Sequence, residues 1–108
     1  MSNQTAYIVV MTTFPSLDEA KQLAERLLNQ KLAACINILP KMHSLYIWQG
    51  QVEQGEEHQL LIKTRAEHYL PVQQLVLANH PYELPEIIAL PISQGLPAYL
   101  QWIESSTS

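Results

Sequence analysis

Two hydrophobic spacings alternate along this chain. Ala6-Tyr7-Ile8-Val9-Val10-Met11-Thr12-Thr13 is apolar at consecutive positions and rich in β-branched residues, which predicts a strand buried on both faces. Phe14-Pro15 breaks it. Ala20, Leu23, Ala24, Leu27 and Leu28 then recur at helical spacing, with Lys21, Glu25 and Lys31 on the wet side. Ser16-Leu17-Asp18-Glu19 has the pattern of a capping box, so a helix is predicted from about Ser16 to Gln30. Ala33–Leu39 returns to a continuous apolar run and predicts a second strand, which Pro40 bends or ends.

His43–Trp48 resumes extended structure, Gln49-Gly50 offers a turn, and Val52–Thr64 returns, so the three form a long hairpin. Gly55 inside the returning strand marks a candidate bulge. Thr64-Arg65-Ala66-Glu67 repeats the capping-box pattern and opens a helix to about Asn79, with Tyr69, Val72, Leu75, Val76 and Leu77 on its apolar side. Pro71 fits only if the regular turns begin near it. Glu86–Ile92 predicts the last strand. Pro97 opens a short helix with Ala98, Tyr99, Leu100, Trp102 and Ile103 on one face, and Ser105–Ser108 reads as a frayed tail.

Strand, helix, strand, strand, helix, strand, with a helical tail, is the order of an α+β ferredoxin-like βαββαβ sandwich. Both main helices then cover one face of an antiparallel sheet and leave the other to water. An open face should alternate apolar and polar residues, yet the first two strands are apolar on both sides. Sheets from several subunits packing their free faces together resolve the conflict, which predicts a homo-oligomer.

Composition agrees. The 108 residues fit a single domain, 1–108. Charged residues make up 15%, low against a usual share of about 25%, as expected where other subunits cover part of the surface. Net charge is −4 with no basic cluster, which argues against a nucleic-acid partner. No apolar run approaches the roughly 20 residues of a membrane span. Cys35 is the one cysteine, so no intrachain disulfide forms. Met1–Thr5 lacks the charged and apolar parts of a signal peptide, which predicts the cytoplasm.

The densest chemistry lies in His80-Pro81-Tyr82-Glu83-Leu84-Pro85-Glu86. Its prolines fix their own φ and disfavour helix at the residues before them, so a stiff corner carries an imidazole and two acids between a helix and a strand. His80 is either a metal ligand completed by a second donor or a hydrogen-bonded brace of the Pro81 turn. Tyr46 and Trp48 lie on one side of a strand and with Tyr82 line a pocket or a packed interface at a subunit boundary. His58 and His68 read as surface residues and Cys35 as a small buried hydrophobe. No H-x-H or C-x-x-C pair, no Gly-rich phosphate loop and no base-activated nucleophile is written in the chain, so no enzyme and no closed zinc site is expected.

Leu32-Ala33-Ala34-Cys35-Ile36-Asn37, Ser44-Leu45-Tyr46-Ile47-Trp48-Gln49-Gly50, Ile62-Lys63-Thr64, His80–Ile88 and Tyr99-Leu100-Gln101-Trp102-Ile103 resemble the CutA family of divalent-cation tolerance proteins in order and spacing. The resemblance runs from about Ile8 to Ile103. It implies a ferredoxin-like protomer in a tight homotrimer, similar in architecture to the PII signalling proteins, and a role in tolerance of divalent metals, copper foremost. It brings no catalytic reaction. In relatives tied to copper, ligands come from a cysteine late in the first strand, a His-His pair opening the HPY block, and an acid after the hairpin turn. Here Thr12 stands for the cysteine and Asn79 for the first histidine. His80 is the second histidine and Glu57 the acid. His80 with Glu57 is therefore the expected metal pair, weak for Cu(II) or another divalent cation, with no tightly bound cofactor. Two further readings follow: a PII-like module taking a small anion or metabolite in the cleft between subunits, with Lys63 and Arg65 as natural anion contacts, or a scaffold that anchors a partner protein.

Overall fold

The computed structural model describes residues 6–108; Met1–Thr5, whose polar character suggested the absence of a signal peptide, lies outside them. The elements are β1 (Tyr7–Phe14), α1 (Leu17–Asn29), β2 (Cys35–Ile38), β3 (Met42–Trp48), β4 (Gln51–Arg65), a 3-10 turn (Ala66–His68), α2 (Tyr69–Asn79), β5 (Ile87–Pro91) and α3 (Pro97–Ser106). The sheet is antiparallel in the order β2-β4-β1-β5, with β3 pairing the outer half of β4. This is the ferredoxin-like arrangement the pattern predicted.

Strand parity sorts the side chains. Ile8, Val10, Thr12 and Phe14 of β1 lie opposite Thr64, Ile62, Leu60 and His58 of β4 and share one face. On that face Val10, Phe14, Leu60 and Ile62 pack with Leu23 and Leu27 of α1 and Val72 and Val76 of α2. The odd-numbered residues form the second face. There α3 covers one end: Tyr7 donates to Glu104 (3.0 Å), and Arg65 donates from Nε to the Thr107 hydroxyl (2.9 Å) and from its terminal nitrogen to the Thr107 carbonyl (2.7 Å). Ile88 and Leu90 of β5 point to this face and stay about half exposed, 48% and 49%.

Ser16 caps α1, its hydroxyl accepting from the Glu19 N–H at 3.3 Å. Ala20, Leu23, Ala24 and Leu27 are buried as predicted; Leu28 sits at the edge of the stripe and is exposed. Gln49 and Gly50 both have positive φ, the two-residue turn that matches the twist of a hairpin. Pro71 falls in the first turn of α2, where its missing N–H costs little.

Several expectations need correction. Thr64 does not cap a helix. It belongs to the inward face of β4, is fully buried, and its hydroxyl donates to the Leu32 carbonyl (2.6 Å); Glu67 instead pairs with Arg65 (3.2 Å). Gly55 makes no bulge, because β3 and β4 stay in register from Met42↔Glu57 to Trp48↔Gln51. The extra residue sits across the sheet around Pro40: Leu39, Pro40 and Lys41 oppose only His58 and Gln59. His58 is buried, with Nδ1 at 3.1 Å from the Leu39 carbonyl at that irregularity. The tail is not frayed either. α3 runs to Ser106, and Thr107 is buried under the two Arg65 bonds. Leu77 faces outward on α2.

Thr12 is fully buried on the inward face, and its hydroxyl has no partner among the described residues. A buried polar group without a hydrogen bond costs free energy. Thr12→Val is therefore expected to raise stability by about 1 kcal/mol, read as a shifted denaturant midpoint at fixed protein concentration. A lower midpoint would mean that the hydroxyl has a partner in solution.

Candidate functional site

The site forms where the chain leaves α2. His80 is the residue after the last turn of that helix and has extended backbone, as the following Pro81 requires. Its ring rests on Phe14, with centroids 4.2 Å apart. Nε2 lies 2.6 Å from the Thr13 carbonyl, which can only accept, so Nε2 donates. Nδ1 accepts the Tyr82 N–H at 3.1 Å. Both ring nitrogens are thus engaged, and the imidazole ties the turn to the end of β1.

Past Pro81 the loop crosses to the second face of the sheet. The Tyr82 hydroxyl donates to Glu57 Oε2 at 3.0 Å, and the Thr13 hydroxyl donates to the same oxygen, also at 3.0 Å. Glu57 is a carboxylate only 8% exposed, and these donors replace part of the water it has lost. Burial, then the bond to Glu57 and its charge, push the Tyr82 phenol up to about 12. His80 and Glu57, the pair the family resemblance implied, are therefore brought into one network through Thr13. Among the described residues no three His, Cys, Asp or Glu side chains converge as a metal cage would need.

An open cleft of about 780 Å³ lies in front of Glu57. The β3–β4 arm forms one wall with Ser44, Tyr46 and Trp48; the Pro81–Glu86 turn forms the other. Tyr46, Trp48 and Tyr82 line this one cleft of the single chain. Lys63 and Arg65 lie elsewhere, near the α3 end of the sheet. Lys63 is bonded to Asn37, and Arg65 is taken up by Thr107 and Glu67. Cys35 is half-buried on the second face, not in the core, beside Tyr99, whose phenol is raised first by burial and then by that thiol. The part of Thr13 was not foreseeable from its neighbours: it differs from Thr12 only in strand parity, and parity assigns a face only once β4 is in register.

The high pKa of Tyr82 predicts a pH effect. The folded-state value lies above the unfolded value of about 10, so the neutral phenol stabilises the fold fully below that pH. The contribution is lost as pH rises through about 12. In absorbance titration, Tyr82→Phe should lack a phenol that ionises late in the wild-type protein, at about 12; a missing component near 10 would contradict the Glu57 contact.

Comparison with known proteins agrees with this architecture. Residues 8–106 match the family described as CutA1 divalent ion tolerance protein. The chain is 43% identical over 99 residues to the divalent-cation tolerance protein CutA of Thermus thermophilus, covering 92% of this chain and 96% of that one. It is 46% identical over 100 residues to the chloroplastic protein CutA of Arabidopsis thaliana, covering 93% of this chain but 55% of the relative. The chain thus spans little more than half the length of the plant relative. Among solved structures, the periplasmic divalent cation tolerance protein CutA of Archaeoglobus fulgidus superposes with a TM-score of 0.92 at 40% identity, covering 94% and 99% of the two chains. CutA1 of Oryza sativa superposes with a TM-score of 0.92 at 43% identity, covering 99% and 98%. By sequence over nearly its whole length, and by fold, the chain belongs to the CutA1 divalent ion tolerance family.

Proposed function

We propose that this protein acts in cellular tolerance of divalent metal ions, copper foremost, as a cytoplasmic homotrimer without catalytic activity of its own. The observation that carries this reading is the family match across residues 8–106. The relatives' names state divalent-cation tolerance and no reaction. A single free cysteine suits a reducing compartment, and among the described residues no helix is long and apolar enough to cross a membrane.

The trimer is supported by apolar surface that one chain leaves uncovered. Leu45, Ile47 and Val52 on the β3–β4 arm are 69%, 69% and 70% exposed, and Ile88 and Leu90 are uncovered on the sheet. Such patches mark protein contacts. Sedimentation equilibrium at micromolar concentration should give three chain masses; a monomer would overturn this part.

Direct metal contact is proposed at His80 with Glu57. It is weak for a physical reason. An ion that takes an imidazole lone pair must displace the Tyr82 N–H from Nδ1 or the proton on Nε2. Glu57 Oε1 is the acceptor of the network that receives no hydrogen bond among the described residues. Calorimetric titration with Cu(II), with Zn(II) for comparison, should show low-affinity saturation at about one ion per chain, diminished in both His80→Ala and Glu57→Gln. Heat unchanged in both variants would make the metal role indirect.

A further inference from the structure

We propose that α2 joins two copies of the protein, its outer stripe packing antiparallel against the same stripe of a second copy. This goes beyond metal tolerance and does not rest on it. Val72 and Val76 of α2 are fully buried against the sheet. The opposite side of the helix carries Leu70, Gln74 and Leu77 at the i, i+4, i+7 spacing of one stripe, with Pro71 and Ala78 beside it. All five are exposed, and Leu70 and Leu77 keep 62% and 50% of their surface open to solvent. The subunit contacts proposed above use the arm and the second face of the sheet. The stripe lies on the far side of the helix layer, so an assembly built through those contacts leaves it uncovered.

Charge and symmetry select a second copy as the occupant. From Tyr69 to Asn79 α2 contains no Asp, Glu, Lys, Arg or His, although the chain as a whole has a net charge of −4. Copies that meet through α2 therefore bring no like charges together. α1, the other helix on this side, exposes Asp18, Lys21, Glu25 and Arg26 and offers no such patch. A two-fold contact also requires a self-complementary surface. Leu70 and Leu77 are spaced evenly about the Gln73-Gln74 pair. In an antiparallel pair each Leu70 then meets the partner's Leu77, and the two Gln74 amides come together near the axis, where each can donate and accept. The stripe is short, about 10 Å from Leu70 to Leu77. It offers far fewer residues than the roughly 20–30 a side of a standard interface, so association is weak, with a Kd on the order of 100 μM or higher.

The test uses the full-length assembled protein in the presence of a chelator, so that metal ions play no part. In sedimentation velocity the weight-average coefficient should rise above that of the smallest species across about 10 μM to 1 mM protein. Leu77→Glu sets a carboxylate against an apolar partner and should hold the coefficient flat; Leu70→Gln should weaken association about tenfold. Thermal melts confirm that both variants fold. Geometry is read separately by cross-linking in a Cys35→Ser background, where an introduced thiol is the only one. Gln74→Cys should form a disulfide between chains of two assemblies on mild oxidation, and Glu25→Cys on α1 should not. A coefficient independent of concentration in wild type, undiminished association in folded Leu77→Glu, or cross-linking at Glu25→Cys as readily as at Gln74→Cys would overturn the proposal. A monomer as the smallest species would remove the trimer reading alone, because pairing through α2 would then appear as a rise from monomer to dimer.

Discussion

Fifteen consecutive residues, Gln51–Arg65, form backbone ladders with three other strands, and the register of that one strand positions everything else. Its even positions from His58 to Thr64 point to the helices and close the core. Its odd positions point to the face that carries α3 at one end and the cleft at the other. A slip by a single residue would exchange the two sets and put Glu57 and Lys63 into the hydrophobic core. The irregularity around Pro40 matters for the same reason. The extra residue lies on the partner strand, so β4 itself runs on unbroken from the sheet into the exposed arm.

The cleft end depends on how a buried carboxylate is kept. Glu57 loses water on folding and is compensated by hydroxyls from β1 and from the loop after α2. Those donors are in turn fixed by His80, whose two ring nitrogens grip the Thr13 carbonyl and the Tyr82 amide. Phe14 supports the ring from the core side. The network therefore joins β1, β4 and the proline-rich turn, with the imidazole as its brace. An ion proposed at His80 would have to compete with the Tyr82 amide for the Nδ1 lone pair.

At the opposite end Arg65 has a comparable role. It leaves β4 on the second face and holds the end of α3 through the hydroxyl and carbonyl of Thr107. That keeps α3 over Tyr7 and Cys35 and leaves the β5 side of the face bare. Lys63 donates to Asn37 and Arg65 to Thr107 and Glu67, so both cations suggested for an anion also tie down side chains at this end of the sheet.

Much of the fold was legible in the chain because periodicity and punctuation are local. The shift from consecutive apolar residues to helical spacing at Ala20, the Ser16 cap, the Gln49-Gly50 turn and the prolines around Tyr82 each report on a few neighbouring residues. Those few residues suffice to place strands, helices and the stiff corner in order. Family resemblance likewise pointed to His80 and Glu57. What the sequence left open depended on partners distant in the chain. Thr64 looks like a cap until β4 carries it past the loop before β2, and Gly55 looks like a bulge until Ser44 is set opposite it. Thr107 looks like a loose end until Arg65 reaches it, 42 residues away in sequence. Thr13 and Thr12 are indistinguishable as letters, yet one completes a buried carboxylate and the other buries an unpaired hydroxyl. Local propensity settles which elements form; only the register of the sheet determines which side of it each side chain meets.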